Sequence, residues 1–196
     1  MAGARALSLF AAGPLEAREL GPADLDALQA LFESNPAYFD LAEGAPAAPG
    51  AARAILERRP PEDMTFTRKW SVGFFTAGGV LAAMADVVED LIASRVWHIG
   101  FFIVAGSAQG GGVGRAAYEA LEGWMRARGA QWLRLGVLEG NVRAERFWRA
   151  RGYAEVRRRY SVEMGRKTHT LLVMVKPLAG GTLDEYLARV GRDRPE

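Results

Sequence analysis

The chain predicts an α/β domain: a central, mostly antiparallel mixed sheet of about six to seven strands, with one parallel β-α-β unit, flanked by about four helices. Three observations carry that expectation. "KWSVGFFT" and "VLAAMADVV" are strand-like runs joined by "AGG", which is a hairpin signal. "AEVRRRYSVEM" and "THTLLVMVK" repeat the pattern across "GRK". Between these pairs, "RVWHIGFFIV", a glycine turn, an amphipathic run and "QWLRLGVL" follow with short connections, which implies a right-handed parallel crossover.

The elements can be justified in order. With 196 residues, 49% of them hydrophobic and 24% charged, the chain suits one globular domain. Residues 1–14 read as an N-terminal extension ahead of a domain over 15–179. "GPADLDALQALF" places Leu25, Leu28, Leu31 and Phe32 on one helical face, with Pro22 in the first turn. "EGAPAAPGAA" is a loop, and "AARAILERRPPEDM" is a short helix stopped by Pro60 and Pro61. After the glycine turn, Val113, Ala117, Ala120, Leu121 and Trp124 form a stripe that ends at Gly129. "NVRAERFWRARGY" is a helix with Asn141 as N-cap and Gly152 as its stop. Residues 180–196 read as a polar tail with one short helix at "LDEYLARV".

Composition excludes several function classes. There is no cysteine, so disulfides, thiolate chemistry and cysteine metal sites are out, and no metal is expected. With 25 basic and 23 acidic residues, the balance is too even to argue for nucleic acid. No apolar run reaches the roughly 18 to 20 residues of a membrane span, and the N-terminus lacks a continuous apolar signal region. The expectation is a cytoplasmic chain, monomeric or homodimeric, away from membranes.

The strongest chemical signal lies at Gly110, Gly111, Gly112 and Gly114, between a strand and a helix. Backbone without side chains lets successive N–H groups converge on an anion, and the helix N-terminus adds partial positive charge. Arg115 adds a full one. A P-loop would need Lys-Ser or Lys-Thr after the glycines, but Lys167-Thr168 stands in a hairpin. A dinucleotide fingerprint is met only in its looser form, at Gly112, Gly114 and Ala117, and too late in the chain. A turn that binds nothing also fits these glycines.

Gln109-x-x-Gly112-x-Gly114 fits a third pattern. It resembles the pyrophosphate loop of the GCN5-related N-acetyltransferase (GNAT) superfamily. Downstream, Asn141, Ala144, Phe147, Trp148, Gly152 and Tyr153 are similar to that superfamily's second element, one helix and one strand away. The order of elements agrees as well, and the resemblance covers about residues 15–176. It implies acetyl-CoA as cofactor and a primary amine, on a small molecule or a protein, as acceptor. It implies that backbone near Ile103 and Val104 pairs with the pantetheine arm. Gln109, Gly110, Gly112, Val113, Gly114 and Arg115 would hold the pyrophosphate. Asn141 would touch the pantetheine, and Phe147 and Trp148 would line the wall. Asn35, Tyr38 and Phe39 would shape the acceptor pocket. Plain alternatives stand beside these roles: Asn141 fits a helix cap, Phe147 core, and 35–39 a helix–helix loop.

The implied reaction is direct attack of a neutral amine on the thioester. Deprotonating an alkyl ammonium at pH 7.4 costs roughly 4 kcal/mol, so a base matters. The departing thiolate benefits from a donor. Many members carry a tyrosine where this chain has Trp148, whose indole N–H donates a hydrogen bond but gives up no proton. His98, on the strand leading to the glycine turn, is a candidate base, since a pKa near 6.5 suits proton relay; it also fits a packed strand position. Glu89, with Asp86 and Asp90 nearby, is a second candidate for base or amine contact. Two readings of other classes stay open: a CoA-binding module without catalysis, and a dinucleotide-binding oxidoreductase.

Overall fold

The computed structural model describes residues 7–178 and 180–195. One eight-stranded sheet organises it, in the order β1-β2-β3-β4-β5-β6-β8-β7. Its strands are β1 (Ser8–Ala12), β2 (Leu15–Glu19), β3 (Arg68–Phe75), β4 (Leu81–Glu89), β5 (Val96–Val104), β6 (Trp132–Leu138), β7 (Ala154–Met164) and β8 (Lys167–Pro177). All neighbours are antiparallel except β5 and β6. The helices are α1 (Leu25–Glu33), α2 (Pro36–Glu43), α3 (Ala51–Glu57), α4 (Val113–Ala127), α5 (Val142–Arg149) and α6 (Leu183–Arg189).

Eight strands and six α-helices among the described residues exceed the expected six to seven and four. Two local features account for part of the difference. Residues 8–12, placed by the sequence in an extension, turn at Gly13 (φ +61°) and pair with β2. Residues 1–6 of that extension lie outside the described residues. Residues 35–39, which also fit a loop, start a separate helix because Pro36 supplies a preset φ at its first position.

The sheet is covered on both faces. Leu121, Met125, Ala117 and Tyr118 of α4 bury one face with Trp97, Ile99, Val72 and Phe74. Each such large side chain contributes about 1.5–3 kcal/mol by leaving water. On the other face, Leu28, Leu31 and Phe32 of α1 cluster with Phe39, Ile55, Met84 and Ile103. The tail docks beside them: Tyr186 and Val190 pack with Val96, Trp132 and Val175. A capping box at Thr182 and Glu185 starts α6.

One irregularity positions the site. β5 and β6 pair only over Val96–Ile99 and Trp132–Leu135. A bulge then falls at Gly100, between the β4 partners Asp86 and Val87. Bulges bend the strand that carries them. β5 stays with β4 as far as Val104, β6 stays with β8 as far as Leu138, and the two central strands part between them.

Candidate functional site

The parting strands open a notch in the middle of the sheet. A small cavity of about 90 Å³ fills it, lined by Ile99–Phe102, Leu135–Leu138, Tyr38, Asn141, Ala144 and Trp148. It adjoins a cleft of about 600 Å³ that runs to the glycine turn, with Tyr38, Phe102, Asn141, Ala144 and Trp148 on both walls. Ala105 N–H donates to Ala82 on β4, so alternation turns the backbone of Val104 and Phe102 to the open side. Ile103 lines the cleft, but its backbone pairs with Met84 on β4.

The glycine turn forms the far end. Gly110 (φ +85°) and Gly112 (φ +82°) hold left-handed backbone that favours glycine. Gly112 is the N-cap of α4 and brings no capping side chain, so the first N–H groups of a 15-residue helix face the cleft end unclaimed by a cap. Gly114 is constrained differently: a Cβ there would lie 3.2 Å from Val104 Cγ2, a tight contact that the valine would have to yield to. Gly110, Gly112, Gly114 and Arg115 line the cleft; Val113 packs against the core beneath.

Gln109 ties the turn to two other elements. Its Nε2 donates to Asn35 Oδ1 (2.7 Å) and to Val104 O (3.0 Å), and its Oε1 accepts from Arg143. Beside it, Gly106 N–H donates to Ser34 Oγ, and a Cβ on Gly106 would sit 2.3 Å from Ser34 O. The α1–α2 junction is thereby seated on the turn that follows β5. Asn35, buried, also donates to Leu31 O. Phe39 is buried in the α1 cluster, while Tyr38 faces the cleft.

The opposite wall is aromatic. Phe147 stacks on Phe102 with centroids 5.9 Å apart, and the Arg151 guanidinium lies 3.7 Å from the Phe147 centroid. Trp148 packs edge-on against Phe102, Tyr118 and Tyr153. Asn141 does cap α5, accepting from Ala144 N–H at 3.1 Å, and it lines both cavities. Arg115, Arg143 and Arg151 set three positive charges on the cleft wall. Phe102, Arg143, Arg151, Ser34 and Gly106 were not singled out from the sequence. Phe102 shares a strand face with Val104, and the two arginines stand inside the second motif. Ser34 and Gly106 carry no local signal.

The two candidate bases lie elsewhere. His98 Nδ1 is 3.1 Å from the Arg134 carbonyl, and His98 lines neither cavity. Burial, then the Arg134 charge, lowers its pKa to about 3. A base that weak is some seven units below an alkyl ammonium and gains little from proton transfer. The bulge explains the misplacement: one extra residue at Gly100 breaks the alternation that would put 98 and 104 on one face. Glu89 sits at the far end of β4, accepts from the Trp70 indole at 3.1 Å and lines neither cavity. Asp86 is buried and bound by Lys69 (2.9 Å), Ser71 (3.0 Å) and Arg58 (3.3 Å). Tyr118 and Tyr153 bond each other, with Glu122 accepting from Tyr118; burial raises both pKa values far above the ordinary range.

Comparison with known proteins bears on this geometry. A family model described as "Acetyltransferase (GNAT) family" matches residues 29–153, from α1 through the end of the α5 turn. The chain belongs to the GNAT acetyltransferase family. This GNAT chain superposes on a ribosomal-protein-S18-alanine N-acetyltransferase from Escherichia coli (TM-score 0.63, 18% identity), covering 85% of this chain and 95% of that one. An acetyltransferase from Thermus thermophilus gives TM-score 0.64 at 21% identity, over 88% and 100% of the two chains. A GCN5-related N-acetyltransferase from Kribbella flavida gives 0.63 at 20%, over 84% and 98%. These likenesses establish the GNAT fold. No curated protein matches the sequence. The dinucleotide reading loses its ground here, because the glycine turn serves a single parallel pair inside an antiparallel sheet rather than a doubly wound parallel one. No helix of the described residues is long and apolar enough to cross a membrane.

Proposed function

We propose that this GNAT protein transfers an acetyl group from acetyl-CoA to a primary amine by direct attack on the thioester. The observation that carries the reading is the continuity of the β5/β6 notch with the α4 N-terminus through one cleft. An extended pantetheine arm fits beside Phe102 and Val104, whose backbone turns to the open side, and a diphosphate fits the bare N–H groups at Gly110–Arg115. Arg143 and Arg151 suit the remaining phosphate charge. Phe102, Phe147 and Trp148 keep water from the reacting end.

Acetyl-CoA supplies an activated acyl carbon and a thiolate leaving group. The chain's part is to hold that carbon in the notch and admit an amine from the α2 side, past Tyr38. With His98 and Glu89 outside the cavities, the ammonium proton leaves through solvent, at the ~4 kcal/mol that neutral pH imposes. The acceptor amine belongs to a small molecule or a protein, and the work is done in the cytoplasm.

Titration calorimetry with acetyl-CoA tests the first half of the reading. Free-thiol release across an amine panel tests the second. No binding of acetyl-CoA ends the proposal. Binding without thiol release on any amine favours a CoA-binding module instead.

A further inference from the structure

We infer that Tyr38 on α2 delivers the proton to the sulfur that departs during acetyl transfer. This rests on the acetyltransferase reading above. Tyr38 is the residue of the α1–α2 arm that reaches both the main cleft and the small notch cavity, where Trp148 forms another wall. Tyr38 and Trp148 both line this cavity of about 90 Å³, together with Asn141 and the parted ends of β5 and β6. The ring is held edge-on by Phe39 (5.3 Å) and Phe101 (5.6 Å). Its hydroxyl has no hydrogen-bond partner among the described residues, and the residue lines both cavities.

The other polar groups along the cleft are less suited to give up a proton, the Asn141 amide included. Ser34 Oγ–H donates to Leu31 O, and Asn35 Nδ2 donates to the same carbonyl. Gln109 Nε2 is shared between Asn35 and Val104. Trp148 has an N–H that gives up no proton. Arg115, Arg143 and Arg151 belong to the phosphate end. Tyr118 and Tyr153 line neither cavity. Tyr38 itself keeps its proton at any working pH: burial and then nearby Glu43 push its pKa up to about 12, against the opposing pull of Arg58.

The step balances. The amine lone pair forms the C–N bond and the carbonyl π pair moves to oxygen. When the carbonyl re-forms, the C–S bond breaks and its electron pair goes to sulfur. The Tyr38 O–H proton passes to that sulfur, giving the CoA thiol. The phenolate recovers a proton from the nitrogen, which sheds one in becoming the amide, so Tyr38 ends as it began.

The test needs no knowledge of the natural acceptor. CoA is bound to the protein, and its thiol is titrated by thiolate absorbance. A phenol donating to the sulfur stabilises the thiolate, so the bound thiol should titrate about one to two units lower than in Tyr38→Phe. On any amine that the panel reveals, Tyr38→Phe should lower kcat about 10²-fold with KM for acetyl-CoA unchanged. Adding Trp148→Tyr should restore part of that loss by presenting a phenol from another wall. An identical thiol titration in wild type and Tyr38→Phe, with CoA bound equally, overturns the inference and leaves the acetyltransferase reading standing. Failure of the wild type to bind CoA removes both.

Discussion

Gln109 donates a 2.7 Å hydrogen bond to Asn35 across 74 residues of sequence. It joins the glycine-turn end of the cleft to the arm that carries Tyr38. If the bond couples the two, Gln109→Leu and Asn35→Ala are not additive. A double-mutant cycle in urea should show about 0.5–3 kcal/mol of interaction. Additive losses would mean that the bond is incidental.

Gly112 and Gly111 separate backbone strain from crowding, since a Cβ at either meets open space. Gly112 has φ +82°. Gly112→Ala should therefore cost about 1–2 kcal/mol and weaken acetyl-CoA binding about tenfold as the turn shifts. Gly111→Ala should do much less. Equal affinities by calorimetry would sink the assignment of the turn to the diphosphate.

His98 makes stability depend on acid. Its folded pKa, about 3, lies below the ordinary 6.5, because burial and then Arg134 oppose the charged ring. Between these values the unfolded chain binds the extra proton, so stability is present above pH 6.5 and is lost as pH falls toward 3. The slope from this one group approaches about 1.4 kcal/mol per pH unit. His98→Gln should flatten the stability–pH curve over that window. Unchanged curvature would show that the ring protonates in the native state.

Asp193 anchors the tail. It accepts from Arg134 at 2.6 and 2.9 Å and from Tyr186, all in the interior. Burial, the largest single influence, would raise its pKa, but the Arg134 hydrogen bonds and charge, with the Tyr186 hydrogen bond and the Arg192 charge, together hold the carboxyl below its ordinary value. Asp193→Ala strands a buried guanidinium and should cost about 3–5 kcal/mol in chemical denaturation. A loss under about 1 kcal/mol would mean that water reaches Arg134 freely.

Much of the fold can be read locally. Hairpin spacing at "AGG", the parallel crossover and the Asn141 cap depend on residues close in sequence, where turn chemistry and periodicity act. The same holds for the glycine turn, whose bare amides need only φ > 0 and a following helix. His98 escaped because a bulge of one residue at Gly100 reverses the faces beyond it, and no run of residue types announces a bulge.

The sequence by itself determined the order of the central elements, the glycine turn and the aromatic second motif, since each follows from neighbours within a few positions. Only the tertiary structure decided that His98 and Glu89 leave the cleft, that Gln109 reaches Asn35, and that Tyr38 enters the notch. Those placements depend on where β5 and β6 part and on how the α1–α2 arm seats against Gly106. They are contacts between distant segments, set by packing and by a hydrogen bond that nothing near either partner in the chain foretells.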